Sequence, residues 1–318
     1  MSTTSMPTPA ATPAMNITDK TVAISLTSGR IGNQKKVAST EVEVDADKNL
    51  IGVSKKLLNS KELQAIVKHD SEAAAWVKDR SVPSMFRKGV YLVKIEAVEM
   101  IEKYLQAASD KRHDLIQAFL AVYNQQKQEA ELHLRGVYNA ADYPPMGAVA
   151  SRFVFEWAYI TFATPGKLKE ISADFFEKER SKAEAKWQQA TEEAKLLLRV
   201  QMKDLVDHLV ERLTPGEDGK RKIFKGSTVT NISEFLSNFS LRNVTDDAEM
   251  EFLVGQAKKL LEGADPESLR KNAVDAECLA TGFSTVKKFL DDMVTTAGSR
   301  KIVFDSAEEE DDSSNPFA

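Results

Sequence analysis

The sequence predicts a mostly α-helical protein with a small β element. It reads as an elongated antiparallel helical hairpin of coiled-coil character, followed by a C-terminal cluster of shorter helices. Three observations carry this. Two long stretches, 90–134 and 167–213, contain neither glycine nor proline. Within each, apolar residues recur three, four and seven positions apart, the seam of a helix packed on another helix. In the first these are Val93, Ala97, Ile101, Tyr104, Ala108, Leu115, Phe119 and Val122. In the second they are Phe176, Ala183, Trp187, Ala190, Ala194 and Leu197. Finally, glycine (14) and proline (10) are scarce for 318 residues, which disfavours a turn-rich sandwich or barrel.

Each element follows in order. Residues 1–18 begin MSTTSMPTPAATPAMN, which lacks the apolar residues to offset ordering entropy and reads as a disordered arm. With no basic and no apolar region, it is not a secretory signal. Residues 21–28 alternate Val22, Ile24 and Leu26 with smaller or polar neighbours, a half-buried strand. Residues 41–44 read as its hairpin partner. Ser54 is a helix N-cap before 55–68, and Pro83 marks a break. The helix over 90–134 would span roughly 65 Å at about 1.5 Å per residue, with Ser109–Asp110 the candidate interruption. Residues 136–145 form a turn region. The aromatic and β-branched run RFVFEWAYITF, 152–162, is a strand, stopped by Pro165–Gly166.

The helix over 167–213 carries a one-residue slip in its stripe, continuing through Leu198, Met202, Leu205 and Leu209. Shorter helices are expected at 229–241, 246–261, 266–279 and 285–296, the third opened by Asp265 as N-cap and Pro266 at the first helical position. Residues 301–304 read as a last short strand. Residues 19–300 therefore form a single mostly helical domain, and 301–318 an acidic disordered tail. The two long helices pair within one chain, or between copies in a homo-oligomer.

Composition excludes several classes of function. Apolar residues are 42% and charged residues 29%, as in an ordinary folded protein. One cysteine, Cys278, rules out an intramolecular disulfide and a cysteine-based zinc site, and reads as a small buried residue on its helix. The longest apolar run of note, 118–123, is far short of a membrane span. A reducing cytoplasm, that of a bacterial host cell, is the simplest compartment. Catalytic patterns fail one by one. The histidines, His69, His113, His133 and His208, form no metal-ligand motif, and Asp110/His113 and Glu129/His133 read as solvated helix-face pairs. Gly216–Arg221 lacks the spacing of a phosphate loop, and Gly29–Gly32 reads as a plain turn. Trp157 and Trp187 read as core. The protein is expected to be no enzyme and to hold no cofactor or metal.

Binding features are more informative. Lys220, Arg221, Lys222 and Lys225 surround Ile223–Phe224, a basic loop with an aromatic that suits phosphate contact. The C-terminus carries Glu308, Glu309, Glu310, Asp311 and Asp312 ahead of Pro316 and Phe317, a tether that suits docking into a basic-rimmed apolar pocket. It resembles the acidic, Pro-Phe-tipped tails of bacterial single-stranded DNA-binding proteins, except that Ala318 follows the phenylalanine. Formal net charge is −5, and removing Asp305 with these five acids leaves residues 1–304 at +1. The acidity is local, so it does not exclude a nucleic-acid surface.

Several stretches resemble a family of unassigned function from phages, plasmids and integrative elements. They are TVAISLTSGR (21–30), DRSVPSMFRKGVYLV (79–93), RFVFEWAYITFATP (152–165), KDLVDHLVERL (203–213) and FKGSTVTNISEFLSNFSLRNVTDDAEM (224–250). Members of that family are often encoded beside a MoxR-type AAA+ ATPase and a von Willebrand-type protein similar to a cobalt chelatase subunit. In some elements they sit near recombination and single-strand-binding genes. The resemblance implies a non-enzymatic adaptor, a protein-protein partner of the ATPase, and brings no catalytic motif. The alternative is an accessory factor of phage or plasmid DNA metabolism that binds single-stranded DNA through the basic loop and is regulated by the acidic tail. A virion or scaffold component is a weaker third reading.

Overall fold

The alternation along Thr21–Ser28 builds strand β1, one of two interior strands of a four-stranded antiparallel sheet. The computed structural model describes residues 17–38, 50–216, 222 and 224–298. A one-turn helix, α1 (Ile17–Lys20), leads into β1. The other strands of the sheet are β4 (Val82–Pro83), β5 (Val90–Lys94) and β6 (Phe155–Ile160), in the order β4-β5-β1-β6. Ile24 lies opposite Tyr91 on one side and Tyr159 on the other. The expected hairpin of 21–28 with 41–44 is corrected, since β5 and β6 are the neighbours of β1, and 41–44 lies outside the described residues. Period-two alternation marks a strand but not its partner.

Helix α2 (Lys61–Lys78) and helix α3 (Ile95–Leu134) cover one face of the sheet. Ile24, Val93, Leu26, Tyr91, Phe155 and Trp157 meet Val77, Ala97, Ile101 and Leu105 there. The stripe that reads as a helix from Val90 begins at Ile95, because 90–94 pairs with β1 and Pro83 before it belongs to β4. No interruption occurs at Ser109–Asp110. Helix α2 starts later than expected. Ser60, not Ser54, caps it, its Oγ accepting the Leu63 N–H at 3.0 Å, while Ser54 lies in strand β3 (Val53–Lys56). The helix packed most extensively on α3 is α2. Their far ends share a second cluster of Leu63, Ile66, Phe119 and Tyr123, closed by Leu57, Leu58, Tyr143 and Val149. Val149 belongs to the short helix α4 (Met146–Ala150).

A buried ion pair pins these layers. Arg112 and Asp70 each leave 2% of the side chain exposed. Arg112 Nε donates to Asp70 Oδ1 at 2.6 Å, and Nη2 donates to the Gly29 carbonyl at 2.7 Å. One guanidinium thus ties α2, α3 and the end of β1. At Gly29 a Cβ would lie 3.1 Å from Val154 Cβ and 3.2 Å from the Arg152 carbonyl, so the close backbone approach favours glycine. Beside this pair His69 is buried, its Nε2 donating to the Ala108 carbonyl at 2.8 Å, a satisfied core histidine. His113, His133 and His208 are exposed.

The described residues divide into two compact units, where the sequence reads as one domain over 19–300. The first draws on residues up to 194 and on 238–246, the second on 195–237 and 247 onward. Helical periodicity marks buried faces and not how helices group. After β6 come α5 (Leu168–Ile171) and α6 (Ala173–Leu213), separated by the extended Ser172 within the expected helix 167–213. Helix α7 (Gly226–Arg242) follows. In the second unit, α8 (Ala248–Leu261) and α10 (Ala273–Gly298) pack together. Between them α9 (Pro266–Lys271) is capped by Asp265, whose Oδ2 accepts the Ser268 N–H at 2.7 Å. The helix expected over 266–279 ends at Lys271, and α10 runs unbroken through the gap expected before 285. Asn272 is extended and accepts the Val274 N–H, which restarts the helix. Gly282 lies inside α10 because a Cβ there would come 2.7 Å from Leu260 Cδ2 on α8. Cys278, expected buried, is exposed on α10. Among the described residues no helix is long and apolar enough to cross a membrane.

Candidate nucleic-acid interface

Two Lys-Lys pairs meet on a ribbon. Strand β2 (Gln34–Val37) pairs antiparallel with β3, placing Lys35 opposite Lys55, Lys36 opposite Ser54, and Gln34 opposite Lys56. Directly opposed residues share a face of the ribbon, and neighbours along a strand alternate. Lys35 and Lys55 therefore point one way, and Lys36 and Lys56 the other.

The first pair is anchored. Lys35 Nζ lies 2.7 Å and Lys55 Nζ 2.8 Å from the carboxylate of Asp142, in the turn after α3. Lys55 also donates to the Val137 carbonyl at 2.5 Å. Asp142 and Lys55 are buried side chains, whereas Lys35 is 56% exposed. Hydrogen bonds from Lys35 and Lys55 outweigh burial and hold the Asp142 carboxyl below its ordinary value. Next to it Tyr143 stacks on Tyr138, donates to the Leu57 carbonyl at 3.0 Å, and is pushed up to about 12 by burial.

The second pair is available. Lys36 is exposed and has no ion-pair partner among the described residues, and Lys56 is exposed and donates only to Asn59 Oδ1 at 3.2 Å. A depression of about 490 Å³ opens beside the ribbon, lined by Lys35, Lys36, Lys55, Tyr138, Asn139 and Asp142 among others. Lys36 and Lys56 make one face of the ribbon electropositive, and on the other the exposed Lys35 stands beside Lys55 over the buried Asp142 carboxylate. The flexible ammonium groups act as point charges for phosphate. Residues 39–49, between the strands, include Glu41, Glu43, Asp45 and Asp47 and lie outside the described residues.

The anchor has a pH signature. Because the folded Asp142 carboxyl sits below its ordinary value, its contribution is complete above the ordinary range and is lost as pH falls through the lowered value. Asp142→Asn is therefore expected to lower the urea midpoint at pH 7, and to lower it less at pH 3, below the ordinary value of about 3.9. Equal losses at both pH values would show that the carboxylate charge does not hold the ribbon.

The basic loop read from the sequence fares differently. Lys220 and Arg221 lie outside the described residues. Lys222 is paired with Glu211 at 2.9 Å, Lys225 is exposed, and Phe224, the aromatic read beside them as suiting phosphate contact, is buried. The tail residues Glu308, Glu309, Glu310, Asp311, Asp312, Pro316 and Phe317 also lie outside. Lys287 is paired with Asp207 at 2.6 Å and Lys271 with Glu267 at 3.3 Å. A scan against protein-family models finds no match for this chain. Searches of curated proteins and of solved structures find none either. The ribbon thus stands on its own geometry. Its sequence signal was two Lys-Lys dipeptides about twenty residues apart, the second of them hidden in an expected helix.

Proposed function

We propose that this protein is a non-enzymatic accessory factor of phage or mobile-element DNA metabolism, and that it holds single-stranded DNA by its phosphates on the β2–β3 ribbon. The observation that carries this reading is the register that sets Lys35, Lys36, Lys55 and Lys56 on two paired four-residue strands. The exposed Lys225 offers the same chemistry on the second unit, where Lys222 is held by Glu211, and the acidic tail competes with DNA for such surfaces.

The test is fluorescence anisotropy of the full chain with a labelled single-stranded oligonucleotide over a salt series. Binding is expected at low salt. Lys36→Glu with Lys56→Glu is expected to weaken it by about tenfold or more and to flatten the log–log salt slope by roughly 1.4, about 0.7 per lost phosphate contact. Deletion of 305–318 is expected to tighten binding. No binding at low salt by the full chain or the deletion, or binding indifferent to the ribbon variant, would overturn the reading.

A second reading rests on the second unit. Phe252, Val274 and Phe289 are 64%, 72% and 55% exposed on its helices, large apolar side chains suited to a protein partner. With the family resemblance, this supports an adaptor of a MoxR-type AAA+ ATPase. Pairing of the two long helices, within a chain or between copies, belongs to that adaptor reading. Recovery of the ATPase on the full chain at high salt, lost with Phe252→Ser and Phe289→Ser, is the expected result.

A further inference from the structure

The two edges of the four-stranded sheet are built differently. β4 is two residues long and carries Pro83, which has no N–H to donate. β6 runs for six residues, Phe155–Ile160, with no proline, no lysine and one charge, Glu156. Shortness, proline and lysine are features by which exposed edges ordinarily avoid pairing with another chain, and β6 has none of these three.

One backbone pair decides which groups face outward. Gly29 N–H donates to the Val154 carbonyl at 2.7 Å, and Val154 N–H donates to the Gly29 carbonyl at 3.2 Å. In an antiparallel ladder, pairs that exchange both bonds alternate with pairs that exchange neither. The same register continues from Ser28 opposite Phe155 to Ala23 opposite Ile160. Glu156, Ala158 and Ile160 therefore turn their N–H and C=O groups toward β1. Phe155, Trp157 and Tyr159 turn theirs to the open edge, and no described residue bonds them. Glu156 and Ala158 are exposed and Tyr159 is 40% exposed, so the edge is uncovered.

We infer that β6 pairs antiparallel with β6 of a second copy of this chain, about a twofold axis at Trp157. Trp157 then faces the partner subunit's Trp157, and Phe155 faces the partner subunit's Tyr159. Every outward N–H and C=O finds its complement, and moving the axis to Ala158 forfeits two of the six groups on each strand. Opposed residues keep the same face, so the aromatic side of β6 continues across the axis. Glu156 falls opposite the partner subunit's Ala158, so no like charges meet. The contact is isologous, one strand serving both sides, which closes at a dimer.

Ala158 supplies the test, because its side chain is small and exposed and its register partner carries a charge. Light scattering after size exclusion, over a concentration series of the full chain, is expected to approach twice 35.3 kDa. Ala158→Glu sets two carboxylates against each other on both sides of the axis, and is expected to raise the dissociation constant at least tenfold. Adding Glu156→Lys converts each clash into an ion pair and is expected to restore the dimer. Circular dichroism melts report that each variant is folded. A wild-type chain that stays at 35.3 kDa throughout, or a dimer indifferent to Ala158→Glu, overturns the proposal. A folded double variant that remains monomeric overturns the register.

Discussion

Asp70→Ala is expected to destabilise the first unit by about 3–5 kcal/mol, the cost of leaving one partner of a buried ion pair without the other. Both side chains are 2% exposed, so water cannot replace the lost carboxylate. Arg112 would keep the Gly29 carbonyl at 2.7 Å and the rings of Phe153 and Phe155 at 5.9 and 5.5 Å, none of which carries a full negative charge. Arg112→Met is expected to cost less. Methionine fills much of the same volume, and Arg30 Nη1 already lies 3.8 Å from Asp70 Oδ2, so the carboxylate is not abandoned. Urea unfolding of both variants checks the order. An Asp70→Ala variant within about 1 kcal/mol of wild type would show that the pair contributes orientation and not stability.

The second large effect is expected in the second unit. Asp247 caps α8, its Oδ1 accepting the Met250 N–H at 3.2 Å, while Arg199 donates to both carboxylate oxygens, at 2.7 and 2.9 Å. Asp247→Ala removes a cap of about 1 kcal/mol and charge-assisted bonds of about 1.5–3 kcal/mol. Arg199 retains the exposed Glu249 at 3.0 Å, which limits the loss. The expected destabilisation is about 2–4 kcal/mol. Asp247→Asn keeps a cap oxygen but no charge and should fall between. Burial alone would raise the Asp247 carboxyl, but hydrogen bonds from Arg199 and from the Met250 amide outweigh it and leave the value lowered. The contribution is therefore present above the ordinary carboxylate range and fades as pH drops through the lowered value. Equal losses for alanine and asparagine would show that the cap adds nothing to the ion pair.

The candidate ribbon shows how far local reasoning reaches. Lys35–Lys36 stands out in the sequence as a basic dipeptide after a glycine turn. Lys55–Lys56 does not, because a serine followed by Lys-Lys-Leu-Leu has the form of a capped helix. Ser60 has that form too, with Glu62 behind it, and the structure chooses Ser60 because 53–56 gain ladder bonds on β2. Asp142, which holds two of the lysines, is 87 residues from Lys55 and carries no local mark. Separations of 39 and 42 residues likewise hide His69 against Ala108 and Asp70 against Arg112. Cys278 erred in the other direction. It sits between the buried Ala276 and Leu279, but its own direction on α10 is outward.

Legible in the chain alone were the helical class, the extent of most of α3 and α6, the strand at Thr21–Ser28, the Asp265–Pro266 start of α9, and the net acidity of the last residues. Each follows from spacing, capping or composition within a few turns of chain, where the energies are local. It took the assembled fold to set β1 between β5 and β6, α3 on α2, four lysines on one ribbon, and three residues of β6 at an open edge. Periodicity states which face of an element is buried. It does not state against what, because burial of apolar area is non-directional and any matching face satisfies it.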